Sequence, residues 1–303
     1  MEQVFETFRL GFTQLADRQI LPPIFHYQFV GYAVIASLII GPLLGALGTM
    51  VLVKRMAFFS QAVGNAALTG VSIGVLLGEA PNSPMLSTFG FCILFAILLR
   101  YTQGRTSLSN DVLIGVFLSI SMALGASMVL VVSAKMNTHV LEALLFGSIL
   151  TVTAHDLVVL FWVALACAVI GLPLYNRTML GSISPPLAQV QGVYVRLNDY
   201  IFTIMIAALT VACLKIVGAV LVEALLVVPA AAARNISRSL RQFVVWSVVF
   251  ATLSCLMGIL IPMQMDWPLP SGGAIILSAA MFFVLTFLLR NTVGVLRSQG
   301  ATA

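Results

Sequence analysis

Residues 29–53 read FVGYAVIASLIIGPLLGALGTMVLV, 25 residues without a charge, and the chain then turns abruptly basic at Lys54 and Arg55. A run of this length exceeds the ~20 apolar residues that cross the hydrocarbon core of a bilayer as a helix. Lipid offers no partners to backbone N–H and C=O groups, so such a run persists there as a helix, which satisfies its own backbone. Similar runs recur along the chain, and the spans they predict are Phe29–Val53, Phe58–Leu77, Met85–Leu99, Val112–Val132, Leu157–Leu174, Tyr200–Leu214, Ala219–Ala232, Val244–Ile261 and Ala274–Leu289.

Composition agrees with that reading. Of the 303 residues 60% are hydrophobic and 8% charged, and the mean hydropathy is +1.09, which excludes an ordinary soluble domain. The expected fold class is an all-α polytopic membrane protein of about eight or nine transmembrane helices, with one transmembrane domain over 28–290 between an amphipathic lead-in, 1–27, and a tail, 291–303. The segment LEALLFGSILTVT, Leu141–Thr153, is too short to cross unaided and reads as a re-entrant or half-helix element. The opening MEQVFETFRLGFTQLADRQ lacks the short apolar core and small-residue cleavage site of a signal peptide.

The formal charge of +5 does not point to nucleic acid, because the bases gather between spans and act on orientation. With Lys54 and Arg55 in the cytoplasm, alternating spans put 11 of the 15 bases there: Lys54, Arg55, Arg100, Arg105, Arg177, Arg196, Arg234, Arg238, Arg241, Arg290 and Arg297. The C-terminus is then cytoplasmic, and nine crossings put the amino terminus outside. Lys54, Lys135 and Lys215 are the three lysines, and none follows a glycine, so there is no GK[ST] phosphate-binding loop. Any ATP-driven step belongs to another polypeptide. There is likewise no GxSxG, no HExxH and no Cys/His cluster of zinc-ligand spacing, so no enzymatic activity and no bound cofactor is expected. Cys92, Cys167, Cys213 and Cys255 lie far apart in apolar segments and read as buried small hydrophobes.

A few polar residues interrupt the apolar runs. FFSQAVGNAALTG, Phe58–Gly70, places Gln61 and Asn65 at i and i+4 on one helix face, with Ala62, Gly64 and Ala66 leaving room beside them. Their carbonyl oxygens suit a translocation path, or serve equally as hydrogen-bond glue between helices. Glu223 is a lone carboxylate in an apolar run and needs a cation, a partner or a proton. His139 and Glu142, at i and i+3, flank the half-helix, and His155 with Asp156 closes it; imidazole beside carboxylate suits transition metals, while boundary residues of this kind are also common. Gly41, Gly45 and Gly48 permit close helix packing. The longest interruption, Tyr175–Tyr200, carries Pro185 and Pro186 before a short helix-compatible run, which suits either protein docking or a solvated connector.

Five stretches resemble the permease subunits of the ABC importers for zinc, manganese and iron: VLVKRMAFFSQAVGNAALTGVSIGVLLG, DVLIGVFLSISMALG, LLFGSILTVT, SISPPLAQVQGV and, the most specific, VGAVLVEALLVVPAAAARNISRSL. The resemblance covers Tyr32 to Leu288. In that family the second span reads approximately GDAxSHAxLPG, with the Asp and His as metal ligands; here Gln61 stands at the Asp, Gly64 at the Ser, Asn65 at the His and Thr69 at the Pro. Neutral amides are poorer ligands for zinc or manganese than carboxylate and imidazole. The resemblance implies a permease dimer, formed with a second copy or a paralogue, in a bacterial-type inner membrane. It also implies an ABC ATPase subunit beneath each permease, a substrate-binding protein outside and a divalent metal as substrate. Contact with the ATPase is implied for the Ser182–Gly192 loop, which includes Pro185, Pro186, Leu187 and Val190. Two other readings stay open: a secondary transporter or channel with Glu223 as relay, and a non-transporting partner permease in a heterodimer, to which the missing Asp and His point.

Overall fold

The computed structural model describes residues 6–7, 27–79, 84–132, 152–265 and 271–300, and among these every regular element is a helix. In chain order they are α1 (Gln28–Val53), α2 (Phe59–Leu76), α3 (Met85–Gln103), α4 (Asn110–Val132), α5 (Ala154–Ile183), α6 (Pro185–Val190), α7 (Val195–Val217), α8 (Ala219–Ile236), α9 (Leu240–Gln264) and α10 (Ser271–Gly300). Nine of the described helices, all but α6, are long and apolar enough to cross a membrane.

The nine expected spans are all present; the second keeps its bounds to within a residue at each end, Phe59–Leu76 against Phe58–Leu77, and most of the others extend further out. Helical hydrogen bonding does not stop where hydropathy falls, so the shortest expected spans lengthen: α3 reaches 19 residues and α7 reaches 23. The largest difference concerns Tyr175–Tyr200. Here α5 continues past Pro173 to Ile183 and α7 begins at Val195, leaving only Ser184 and residues 191–194 outside helices. Likewise α10 runs on to Gly300, into the expected tail. His139, Glu142 and all but the last two residues of the Leu141–Thr153 half-helix lie outside the described residues, as does most of the lead-in.

The described residues fall into two compact units, one from those within 53–223 and the other from those within 27–52 together with 224–300, so α8 contributes to both. In the first unit α2 lies against α3, α4 and α7, while α5 packs on α6 and α7. Small residues set these distances. A Cβ on Gly70 would fall 2.9 Å from the Thr88 backbone of α3, and one on Gly125 of α4 would fall 3.1 Å from the Asn65 carbonyl. Between α7 and α8 stands only Gly218, with φ of 85° and ψ of 157°. That conformation is open essentially to glycine alone.

In the second unit the glycine ladder of α1 meets α9 and α8. Gly41 faces Thr252, Gly45 faces Ser247 and Val248, and Gly48 faces the backbone of Leu226. Ser247 donates to the Gly45 carbonyl at 2.6 Å. The α9–α10 pair is closed by Gly258 against Ile275 and by the stacked rings of Phe250 and Phe282, 5.3 Å apart. Close backbone approach is the means of helix association where lipid supplies no hydrophobic drive.

Candidate functional site

Most of α2 is buried, yet Gln61, Asn65 and Leu68 are only half-buried. They recur at i, i+4 and i+7, which is one face of the helix. Neither amide side chain makes a hydrogen bond among the described residues, so among those residues neither acts as glue between helices. Ser60 and Thr69 of the same helix and Thr210 of α7 have buried hydroxyls with no partner among the described residues. A helical Ser or Thr ordinarily bonds the carbonyl a turn earlier, as Ser72 does to Leu68 at 2.8 Å. A buried hydroxyl left unpaired is costly, and α2 carries two. Ser60 precedes Gln61 and Thr69 stands one turn beyond Asn65, but no pattern in FFSQAVGNAALTG distinguished them from ordinary back-bonded hydroxyls.

Glu223 is half-buried in α8, with no bonded partner among the described residues. One turn before it, Ala219 packs against Gly64 of α2, where an added Cβ would come within 2.9 Å. The corner at Gly218 therefore brings the start of α8 to the helix that bears the amides. At the other end of the expected list, Asp156 has a structural role. Its carboxylate accepts from the Thr153 amide at 3.2 Å and from the Thr153 hydroxyl at 2.7 Å, while its own amide donates back to that hydroxyl, forming the capping box of α5. Among the described residues no group of three His, Cys, Asp or Glu side chains could hold a metal. The four cysteines are buried, as expected, and none is joined in a disulfide.

The loop Ser182–Gly192 ends α5, breaks at Ser184 and forms α6, with Pro185 and Pro186 opening the helix, where missing N–H groups cost nothing. Gly192, at φ of 72°, turns the chain back, and the Val193 amide donates to the Ala188 carbonyl at 2.9 Å. Ala188 is fully buried against its own unit, whereas Leu187 is 59%, Val190 86% and Tyr194 80% exposed. This short helix presents an apolar knob.

Beside α6 lies a cavity of about 480 Å³, lined by Lys54, Arg55, Arg100, Asp199 and, from the α5–α6 corner, Ser182 and Pro185. Asp199 joins two of these cations: one carboxylate oxygen accepts from the Lys54 ammonium at 2.5 Å and the other from the Arg100 guanidinium. All three side chains are largely buried, at 11%, 20% and 13% exposed for Lys54, Arg100 and Asp199. The Lys54 ammonium also lies 5.4 Å from the Phe202 ring centre. Lys54 and Arg100 read in sequence as topology markers; their meeting on one carboxylate was not legible. The available signal was weak: Asp199 is a single acid in a predominantly basic connector.

Nine membrane-length helices among the described residues, one of them, α2, largely buried yet carrying polar side chains without partners among those residues, define a polytopic membrane protein of transport type. This chain belongs to the ABC 3 transport family, whose model matches residues 26–290. It is 28% identical over 283 residues to the manganese transport system membrane protein MntC of Listeria monocytogenes, covering 92% of this chain and 97% of that protein. It is 27% identical to the high-affinity zinc uptake system membrane protein ZnuB of Haemophilus influenzae, covering 88% and 99%. Among solved structures, PsaBC from Streptococcus pneumoniae in complex with Fab matches with a TM-score of 0.73 and 26% identity, over 86% of this chain and 91% of that one.

Proposed function

We propose that this chain is the membrane-spanning permease of an ATP-driven importer whose substrate is a divalent transition metal, manganese or zinc. Near full-length similarity to proteins of manganese and zinc systems supports the substrate class. The Lys54 end faces the cytoplasm, where Lys54, Arg55 and Arg100 gather around one cavity, in keeping with the positive-inside rule. A separate ATPase subunit docks on α6, a binding protein delivers substrate from outside, and a second permease completes the path. Closure of the ATPase pair moves the permease bundles and opens the path to alternate sides. The observation that carries this reading is the exposed apolar knob of Leu187 and Val190 on α6 and Tyr194 in the turn after it, set beside the charged cavity.

The same reading makes α2 the wall of the path, with Gln61, Asn65 and Thr69 as its polar groups. Neutral amides in place of ionic ligands favour a heterodimer in which a paralogous permease supplies the tighter ligands. Cysteines placed at Leu187 and Val190 are expected to cross-link to the ATPase subunit in assembled membranes. Cross-links from 234–241 in place of these would move the coupling element to the α8–α9 connection.

A further inference from the structure

We infer that Asp199 carries movement of α6 to the amide-bearing helix α2, as a positioning residue that acts through Lys54; the inference rests on the function proposed above. Asp199 lies near the start of α7, only a short turn after α6, and the Val193–Ala188 backbone bond ties that turn to α6. From α7 its carboxylate holds Lys54, in the joint that leads into α2, and Arg100, near the end of α3. The Lys54 carbonyl in turn accepts from the Asn110 side chain, at the start of α4, at 3.2 Å. One carboxylate therefore fastens the coupling side of the unit to the entry of α2 through charge-assisted hydrogen bonds, which are short and directional.

Stability alone is a poor reason for such a knot, because desolvating three charges offsets most of what their attraction contributes. Its surroundings suit a moving part better. The cavity separates the knot from Ser182 and Pro185, leaving the α5–α6 corner room to shift. Three cations and one carboxylate line that cavity, so any displacement of Asp199 leaves Lys54, Arg55 and Arg100 facing one another. The position of α7 thus decides between an attracted and a repelled arrangement of the α2 entry, a two-state element of the kind coupling requires.

The test uses the permease reconstituted in liposomes with its ATPase and binding protein, reading manganese delivered per ATP hydrolysed. Asp199→Asn is expected to lower that ratio about tenfold while ATP hydrolysis and the α6 cross-links persist; Asp199→Glu, which keeps the charge, restores most of it. Lys54→Gln leaves Asp199 paired with Arg100, so it removes the link to α2 without orphaning the carboxylate, and it should lower the ratio similarly. A parental ratio in both Asp199→Asn and Lys54→Gln overturns the inference. So does an Asp199→Asn protein that merely fails to assemble while Lys54→Gln transports normally, since that marks a structural role only. Cross-links that never form in the parent defeat the α6 reading itself, whereas cross-links that form alongside unchanged ratios defeat only the role of Asp199.

Discussion

Gln61 and Asn65 occupy a face of α2 that is half-buried while the rest of the helix is largely enclosed. Their i and i+4 placement follows from sequence, because spacing alone sets a shared helix face. Whether they bond across to a neighbour did not follow, since that depends on what packs opposite; within the described chain they bond nothing. If the path runs past them, Gln61→Asp with Asn65→His creates a tighter transition-metal site, because carboxylate and imidazole are better ligands than amides. The introduced carboxylate also lacks a partner when metal is absent, which costs stability. Thermal unfolding in detergent is therefore expected to show the double variant below the parent without metal and regaining stability with manganese or zinc, by about 2.7 kcal/mol at a hundredfold excess over Kd. Equal stabilisation of parent and double variant by metal would remove these positions from the path.

At the level of single helices, the glycines separate into two kinds that look alike in sequence. Gly48 of α1 has the Leu226 backbone where a Cβ would stand, whereas Gly90 of α3 has nothing within 4 Å. A backbone cannot yield as a flexible side chain can, so Gly48→Ala should destabilise by about 1–3 kcal/mol. Gly90→Ala should be neutral or stabilising by up to about 1 kcal/mol, because helix propensity then decides. Melting curves of the two variants in one detergent check the contrast, and a Gly48→Ala protein as stable as the parent would refute the packing of α1 on α8. Helix ends were the least legible feature for a related reason. Hydropathy marks the apolar middle of a span, but α5 keeps its hydrogen bonds through Tyr175, Asn176 and Arg177 to Ile183. The short helix after Pro185 and Pro186 was legible because proline at the first helical turn is a local signal.

For the whole molecule, the sequence carries no GK[ST] phosphate-binding loop, so the proposed function has ATP hydrolysed by a second polypeptide. Uptake of manganese into liposomes is expected to require the ATPase subunit and ATP, and to survive collapse of the proton gradient. Uptake that runs on the gradient without ATP, and is lost in Glu223→Gln, would favour the secondary-transporter reading instead. Glu223 stands where α8 passes from one compact unit to the other, one turn beyond the contact of Ala219 with α2. That location puts the carboxylate within a turn of the contact with α2, the proposed wall of the path, and assigns it no proton-relay role.

What the sequence determined by itself is what lipid and local geometry dictate. Uncharged runs of membrane length must be helices, bases between them set the expected orientation, and the missing phosphate-binding loop rules out ATP hydrolysis by that motif. Shared faces at i and i+4, and the helix opened by Pro185 and Pro186, belong to the same category, because each depends on residues within a turn of one another. Tertiary structure alone decided the rest. Lys54, Arg100 and Asp199 lie up to 145 residues apart and meet because three helix ends converge on one cavity. Gly48 and Gly90 differ only in what stands opposite, and the hydroxyls of Ser60, Thr69 and Thr210 are unpaired only because of where their neighbours lie. These are properties of contacts between distant segments, and the side-chain pattern along one helix carries no record of which other helix it will meet.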